Sequence, residues 1–281
     1  MIARIKVFLQ CILPQHAITR AMGWLAEVRT PWLKNYFIAR FIRKYHVNMS
    51  EAAVEDYRSY ETFNDFFIRQ LKPNLRPIAQ EANCIVSPVD GTVAQIGNIA
   101  HDQLLQTKGH YFDLASLLTD DHLAQTFFDG TFATLYLAPF NYHRVHMPID
   151  GKLIQTIYVP GNLFSVNQQT AEYIPQLYSR NERLICIFES AAGRFALIFV
   201  GAMIVGSIQT VWMNAPIRSH EILSHTFSTP LDYTKGDELG YFKLGSTVVL
   251  LFESNQINWD KTLASDSIIQ VGQLIGFSHR N

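Results

Sequence analysis

From Ile85 onward the apolar residues of this chain come in short β-branched or aromatic runs, each closed by turn formers, and this rules out a long-helix fold. The runs are Ile85-Val86, Val93-Ala94, Thr134 to Leu137, Leu184 to Phe188, Phe195 to Val200, Ile208 to Trp212 and Thr247 to Phe252. Between them stand Pro88-Val89-Asp90-Gly91, Pro148-Ile149-Asp150-Gly151, Pro160-Gly161-Asn162 and Ala191-Ala192-Gly193. Proline and glycine punctuate at that spacing where strands reverse direction. The expected fold is α+β and mainly β, with an antiparallel barrel or sandwich-like core. The stretch from Ser219 to Gly240 is polar and poorly periodic, and is expected to be a mobile connection. At 281 residues, 48% hydrophobic and 17% charged, the chain is long enough for one large domain or a domain with an appendage.

The first 48 residues read differently. Arg4, Lys6, Arg20, Arg29, Lys34, Arg40, Arg43 and Lys44 face Glu27 alone, a net +7. The whole chain is formally −1, so the remainder carries −8. Three short amphipathic helices are expected in this basic head. The first carries Ile2, Ile5, Phe8, Leu9, Ile12 and Leu13, and the second Ile18, Met22 and Leu25. The third, opened by Thr30-Pro31, carries Leu33, Tyr36, Phe37 and Phe41. With Trp24 and Trp32 added, such helices suit an anionic bilayer surface; the alternative is a helical cap packed on its own domain. A further short helix is expected after Thr62, with Asp65 at the capping-box position. The longest apolar stretch, Phe195 to Gly206, is too short to span a membrane, which takes about 20 residues. Pro14-Gln15-His16 interrupts the opening segment, which lacks a signal-peptide cleavage site. Cys11, Cys84 and Cys186 are odd in number and widely spaced, so neither a disulfide framework nor a metal site is expected, and a reducing compartment fits.

Four segments bear residues suited to chemistry. Leu244-Gly245-Ser246-Thr247 places a serine after a glycine just before an apolar run, where the hydroxyl can attack the preceding carbonyl, or where a plain turn can feed a strand. Asp90 sits at the tip of an Asp-Gly turn. His143 and His146 lie three apart in Tyr142-His143-Arg144-Val145-His146-Met147-Pro148, as metal ligands, a base pair or loop residues. Pro160-Gly161-Asn162-Leu163-Phe164-Ser165-Val166-Asn167 is a glycine loop that could line a pocket. A serine needs an imidazole to take its proton, and an imidazole needs a carboxylate to orient it; Asp90, one of the two histidines and Ser246 could supply those parts. Ser246 lacks the Gly-x-Ser-x-Gly setting of a nucleophile elbow, which disfavours a lipase or esterase.

These four segments, in this order, closely resemble the bacterial phosphatidylserine decarboxylases. The resemblance runs the length of the chain and includes the basic head, Thr62 to Arg69, Gln106 to Gly109, Arg180 to Arg183, Val200 to Ala202 and Val205 through Trp212. One departure is Asn162, where the family commonly has Asp. The resemblance implies a proenzyme that cleaves itself between Gly245 and Ser246, giving fragments 1–245 and 246–281, with Asp90, His146 and Ser246 as the self-cleavage triad. Ser246 would become a pyruvoyl group, the covalent cofactor that forms a Schiff base with the amine of phosphatidylserine; no metal is implied. His143 would protonate the carbanion left as CO2 departs, and phosphatidylethanolamine would be released.

Residues 1–48 would then serve as a membrane-binding head on a catalytic domain of residues 49–281. The protein would be peripheral on the cytoplasmic side of the cell membrane, a homodimer of cleaved heterodimers with no nucleic-acid partner. The rivals are a pyruvoyl decarboxylase of a soluble amino acid and a non-cleaving lipid-binding protein.

Overall fold

The computed structural model describes residues 7, 10–81, 83–107, 109–202, 208–217, 219–243 and 246–279. Gly245, and with it the expected scissile bond, lies outside the described residues, as do Arg4, Lys6, Ile2, Ile5, Phe8 and Leu9 of the first expected helix.

Strands dominate. They are β1 (Cys84–Val86), β2 (Gly91–Asn98), β3 (Gln103–Thr107), β4 (His110–Asp113), β5 (Thr131–Leu137), β6 (Arg144–His146), β7 (Gly151–Val159) and β8 (Arg183–Ser190). There follow β9 (Gly193–Val200), β10 (Ile208–Thr210), β11 (Leu223–Tyr233), β12 (Glu238–Phe242), β13 (Ser246–Phe252), β14 (Ile257–Trp259), β15 (Ile268–Ile269) and β16 (Leu274–Ser278). Eight form one sheet in the order β11-β7-β8-β9-β13-β5-β2-β15, in which neighbouring strands pair antiparallel. The sheet begins at β11 and ends at β15, so it does not close, and the barrel half of the expectation is set aside in favour of open, sandwich-like sheets. Two three-stranded sheets, β1-β16-β14 and β10-β12-β6, and the β3-β4 hairpin complete the set.

β13 occupies the middle of the large sheet. It is paired along its length with β5 on one side and from Thr247 onward with β9 on the other, and Val248 to Phe252 are fully buried. A strand covered on both faces reads as an unbroken apolar run, as this one does. β8 and β9 form a hairpin across Ala191-Ala192, where Gly193 takes φ +82° and Ser190 Oγ donates to the Gly193 carbonyl. The stretch expected to be a mobile connection instead holds β11, which pairs with β7 at the sheet edge. Its residues are mostly exposed, so backbone pairing alone defines it and apolar periodicity does not reveal it.

The two longest described helices sit at the N-terminal end. α1 (Gln15–Ala26) and α2 (Pro31–Tyr45) precede α3 (Phe63–Phe67), and Thr62 opens α3 with a full capping box to Asp65. Further short helices are α4 (Leu114–Leu118), α5 (Asp121–Thr126), α6 (Gln168–Ala171) and α7 (Leu177–Arg180). α2 packs on α3 through Ile38, Phe41 and Ile42 against Phe63 and Phe66, an aromatic cluster separate from the β core. The expected stripe on α2 is rotated: Lys34 and Ile38 are buried and Tyr36 faces out, because Lys34 reaches the Arg58 carbonyl and the Asn35 side chain with its ammonium. On α1 Gln15, Thr19 and Ala26 are buried and Ile18 and Leu25 of the expected stripe are half-buried, while Met22 and Trp24 face out.

Candidate active site

Three antiparallel pairings converge on one corner. Ser246 opens β13 opposite Leu137, the last residue of β5. The chain then turns through Ala138 to Tyr142, held by the Asn141 side chain accepting from the Ala138 amide at 2.8 Å. His143 follows, and its carbonyl accepts from the Phe242 amide at 3.1 Å. Phe242 ends β12, and Ser246 lies only four residues further on. Topology therefore sets Ser246 and His143 at the same corner, with His146 at the far end of β6 opposite Glu238.

The Ser246 side chain is fully buried and its Oγ has no protein partner; Thr247 Oγ1 beside it is likewise unpaired. His143 is fully buried and stacks on Phe67 with ring centroids 4.2 Å apart. Burial pushes its pKa down to about 3, the Arg69 charge adds to this, and the nearby Pro139 and Ala138 carbonyls oppose it without forming a well-aligned hydrogen bond. The ring is neutral at pH 7.

His146 is oriented from its far side. The turn before β12 is closed by Thr234 on the Asp237 carboxylate, and Met147 bonds it twice through its backbone. Gly236, at φ +93° against Ile78, presents its carbonyl to His146 Nδ1 at 2.8 Å. A carbonyl only accepts, so Nδ1 carries the proton and Nε2 keeps the lone pair. Nε2 is buried and without a protein partner. Burial lowers the His146 pKa, and the Gly236 bond opposes the shift.

Asp90 lies next to this turn, since the His146 amide donates to the Pro88 carbonyl at 2.8 Å. A side chain at Gly91 would collide with the Tyr136 carbonyl oxygen, so only glycine lets the Asp90 turn press against β5. Its carboxylate does not hydrogen-bond His146. Arg76 holds it through Nε at 2.9 and 3.0 Å and Nη2 at 2.6 Å, and the Val271 amide adds a bond at 2.9 Å. Arg76 also binds Glu51 at 2.8 Å. Burial alone would lower the Arg76 pKa, but the two carboxylates outweigh it and raise it. Arg76, Gly236 and Phe67 are the parts that sequence reasoning missed. A carbonyl has no side-chain signature, and Arg76 stands among prolines 14 residues from its partner.

His146, Tyr142, Arg76, Glu238, Gln70 and Lys72 line an open cleft of about 320 Å3. The 160–167 loop is elsewhere and docks the head. Gln15 Oε1 accepts from the Leu163 amide at 2.7 Å, Gln10 Oε1 accepts from Ser165 at 2.9 Å, and Gly161 lies flat on the 180–182 backbone. Glu27, the only acid of the head, accepts from Lys243 Nζ at 3.1 Å, two residues before Gly245. Among the described residues no group of three or more His, Cys, Asp or Glu side chains is placed to hold a metal.

Known proteins match the chain over nearly its whole length. A family model described as phosphatidylserine decarboxylase matches residues 63–277, and a second, described as PSD, matches residues 5–46. The phosphatidylserine decarboxylase proenzyme of Saccharophagus degradans is 48% identical over 273 residues, covering 96% of either chain. That of Legionella pneumophila is 49% identical over 274 residues, again covering 96% of each. That of Pseudomonas putida strain GB-1 is 47% identical over 281 residues, covering 98% of each. On this coverage and identity, the chain belongs to the phosphatidylserine decarboxylase family.

Proposed function

We propose that the chain is a proenzyme that cuts itself at Gly245-Ser246 and then decarboxylates phosphatidylserine to phosphatidylethanolamine. The observation that carries this reading is the buried, unpartnered Ser246 Oγ at the head of a strand pinned on both sides, at the corner that also holds His143. Ser246 Oγ and His146 Nε2 are both unpartnered and do not bond each other at rest, so His146 would have to come within reach of Oγ to take its proton as Oγ attacks the Gly245 carbonyl carbon. The peptide nitrogen leaves as an amine, and an ester joins Gly245 to the Ser246 side chain. Loss of the Ser246 α-proton expels the Gly245 carboxylate by β-elimination; water then enters and ammonia leaves, giving the pyruvoyl group. The Gly236 carbonyl fixes the His146 tautomer, which leaves Asp90 to stabilise the imidazolium through space while Arg76 and Val271 hold its charge in place.

Ser246 suits the group it would become, because a ketone at the first position of a central strand is held rigidly in a dry setting. That group supplies an electron sink for the pair left behind as CO2 departs. His143, packed on Phe67 and neutral at rest, would relay to the carbon that loses CO2 a proton given up by the substrate ammonium.

The head supports a lipid substrate. α1 turns Met22 and Trp24 outward, and Trp32 and Tyr36 of α2 are 72% and 58% exposed, beside basic side chains. Aromatic and aliphatic groups exposed next to cations fit an anionic bilayer, where each Lys or Arg contributes about 1 kcal/mol. No helix among the described residues is long and apolar enough to cross a membrane. We therefore assign residues 1–48 to peripheral contact with the cell membrane and residues 49–281 to catalysis.

Intact-mass measurement of the purified protein tests the reading. Two fragments are expected, the smaller beginning at residue 246 without a free amine, together with CO2 release from phosphatidylserine. Ser246→Ala and His146→Ala should stay as one chain, whereas His143→Ala should cleave yet release no CO2. A wild-type chain that remains a single 32.1 kDa species would overturn the proposal.

A further inference from the structure

Two arginines of this chain are buried without a carboxylate partner among the described residues, and they are satisfied to very different degrees. Arg183 spends its guanidinium on carbonyls: Nε on Leu117, Nη1 on Ser179 and Asn181, and Nη2 on Ser116. It knits together the ends of α4 and α7, and each of its three nitrogens has a partner. Arg69, only 4% exposed, makes one hydrogen bond, from Nη2 to the Phe140 carbonyl at 3.1 Å. Its Nε and Nη1 are buried with no protein partner. The Phe66 ring, 5.5 Å from Cζ, covers part of the guanidinium but accepts none of those donors in a bond. Glu51 and Asp90 act on Arg69 from a distance, yet both are already bonded to Arg76.

A guanidinium keeps its charge, and a buried one with idle donors is costly unless an anion arrives. Arg69 also stands where an anion matters. It is bonded to the loop that carries His143, its field reaches that ring, and the neighbouring Gln70 and Tyr142 line the cleft with His146.

We propose that Arg69 binds the phosphodiester of the substrate headgroup through its free donors. The inference rests on reading the Ser246 site as a phosphatidylserine decarboxylase and goes one step further, to the residue that recognises the headgroup. Phosphatidylserine offers two anions, and the reaction chooses between them. The carboxylate loses its charge as CO2 leaves, so a guanidinium on it would stabilise the ground state more than the transition state. The phosphodiester keeps its charge from substrate to product, and it matches the geometry of an arginine.

The test uses full-length, self-cleaved enzyme and the variants Arg69→Gln and Arg69→Lys, with cleavage checked by intact mass. Decarboxylation of short-chain phosphatidylserine is measured with two competitors: glycerophosphoethanolamine, which has the phosphodiester and no carboxylate, and L-serine, which has the reverse. Arg69→Gln should raise KM about tenfold with kcat within about twofold, as expected for a contact kept through the reaction. Inhibition by glycerophosphoethanolamine should weaken by the same factor and inhibition by serine should not change. Arg69→Lys, which keeps the charge, should fall between the two, and it carries the test if the glutamine variant does not fold. Unchanged glycerophosphoethanolamine inhibition in the variants would overturn the proposal, as would a loss confined to serine. A wild-type enzyme that cleaves but releases no CO2 would instead remove the functional reading beneath it.

Discussion

At the scale of single residues, this site is built from buried polar groups held in place by one or two named neighbours. Asp90 is the sharpest case. Its carboxylate is 4% exposed and depends on Arg76 for three of its four hydrogen bonds. Removing one member of such a pair strands the other, at a cost of about 3–5 kcal/mol. Arg76→Ala should therefore lower the denaturation midpoint sharply and slow self-cleavage, whereas Arg76→Lys should recover part of both. Wild-type stability in Arg76→Ala, read by urea titration, would mean the pair is solvated.

The two histidines predict an acid limb. Both have folded-state pKa values below the ordinary one near 6.5, chiefly through burial. The unfolded chain thus takes up protons that the folded one refuses once pH falls below about 6.5. Stability is full above that pH and is lost on acidification, by up to about 1.4 kcal/mol per pH unit for each histidine. A urea midpoint that stays flat from pH 7 to pH 5 would contradict this. Replacing His143 by Gln should flatten the slope whatever it does to stability at pH 7.

Among the elements, those with a local cause were legible in the sequence and those with a distant cause were not. The Thr62-Asp65 capping box, the Ala191-Ala192-Gly193 turn and the strand after Gly245 follow from neighbours within a few positions, and all three are present. β11 and the rotated face of α2 were not legible. One is held by the β7 backbone, and the other by Lys34 reaching a carbonyl 24 residues away. The site divides in the same way. Asp90, His143, His146 and Ser246 stand out as residue types in a pattern. Gly236, Arg76 and Arg69 act through a carbonyl, a distant carboxylate and idle donors that only folding reveals. α1 bears on the reading of the head, because it leaves Met22 and Trp24 facing out while Gln15, Thr19 and Ala26 are buried. The paired change Trp24→Ser and Trp32→Ser should leave folding stability within about 0.5 kcal/mol. It should reduce co-sedimentation with anionic vesicles severalfold, and added salt should weaken what remains. Unchanged vesicle binding would move the proposed membrane contact away from these helices.

For the whole molecule, self-cleavage poses a mechanical question: whether a chain cut 36 residues from its end stays in one piece. The topology gives the answer. The fragment from Ser246 onward holds β13, β14, β15 and β16, of which β13 lies between β5 and β9, β15 pairs with β2, and β16 pairs with β1. Val248 to Phe252 are all fully buried, each contributing about 1.5–3 kcal/mol of apolar burial that does not depend on the severed bond. Cleavage before Ser246 would sever none of these strand pairings. The cleaved protein should elute as a single species in size-exclusion chromatography and separate into two chains only in denaturant. Its melting temperature should lie within a few degrees of that of uncleaved Ser246→Ala. Fragments that part under native conditions would show that the intact Gly245-Ser246 bond, and not the pairing of β13, holds the C-terminal strands in place.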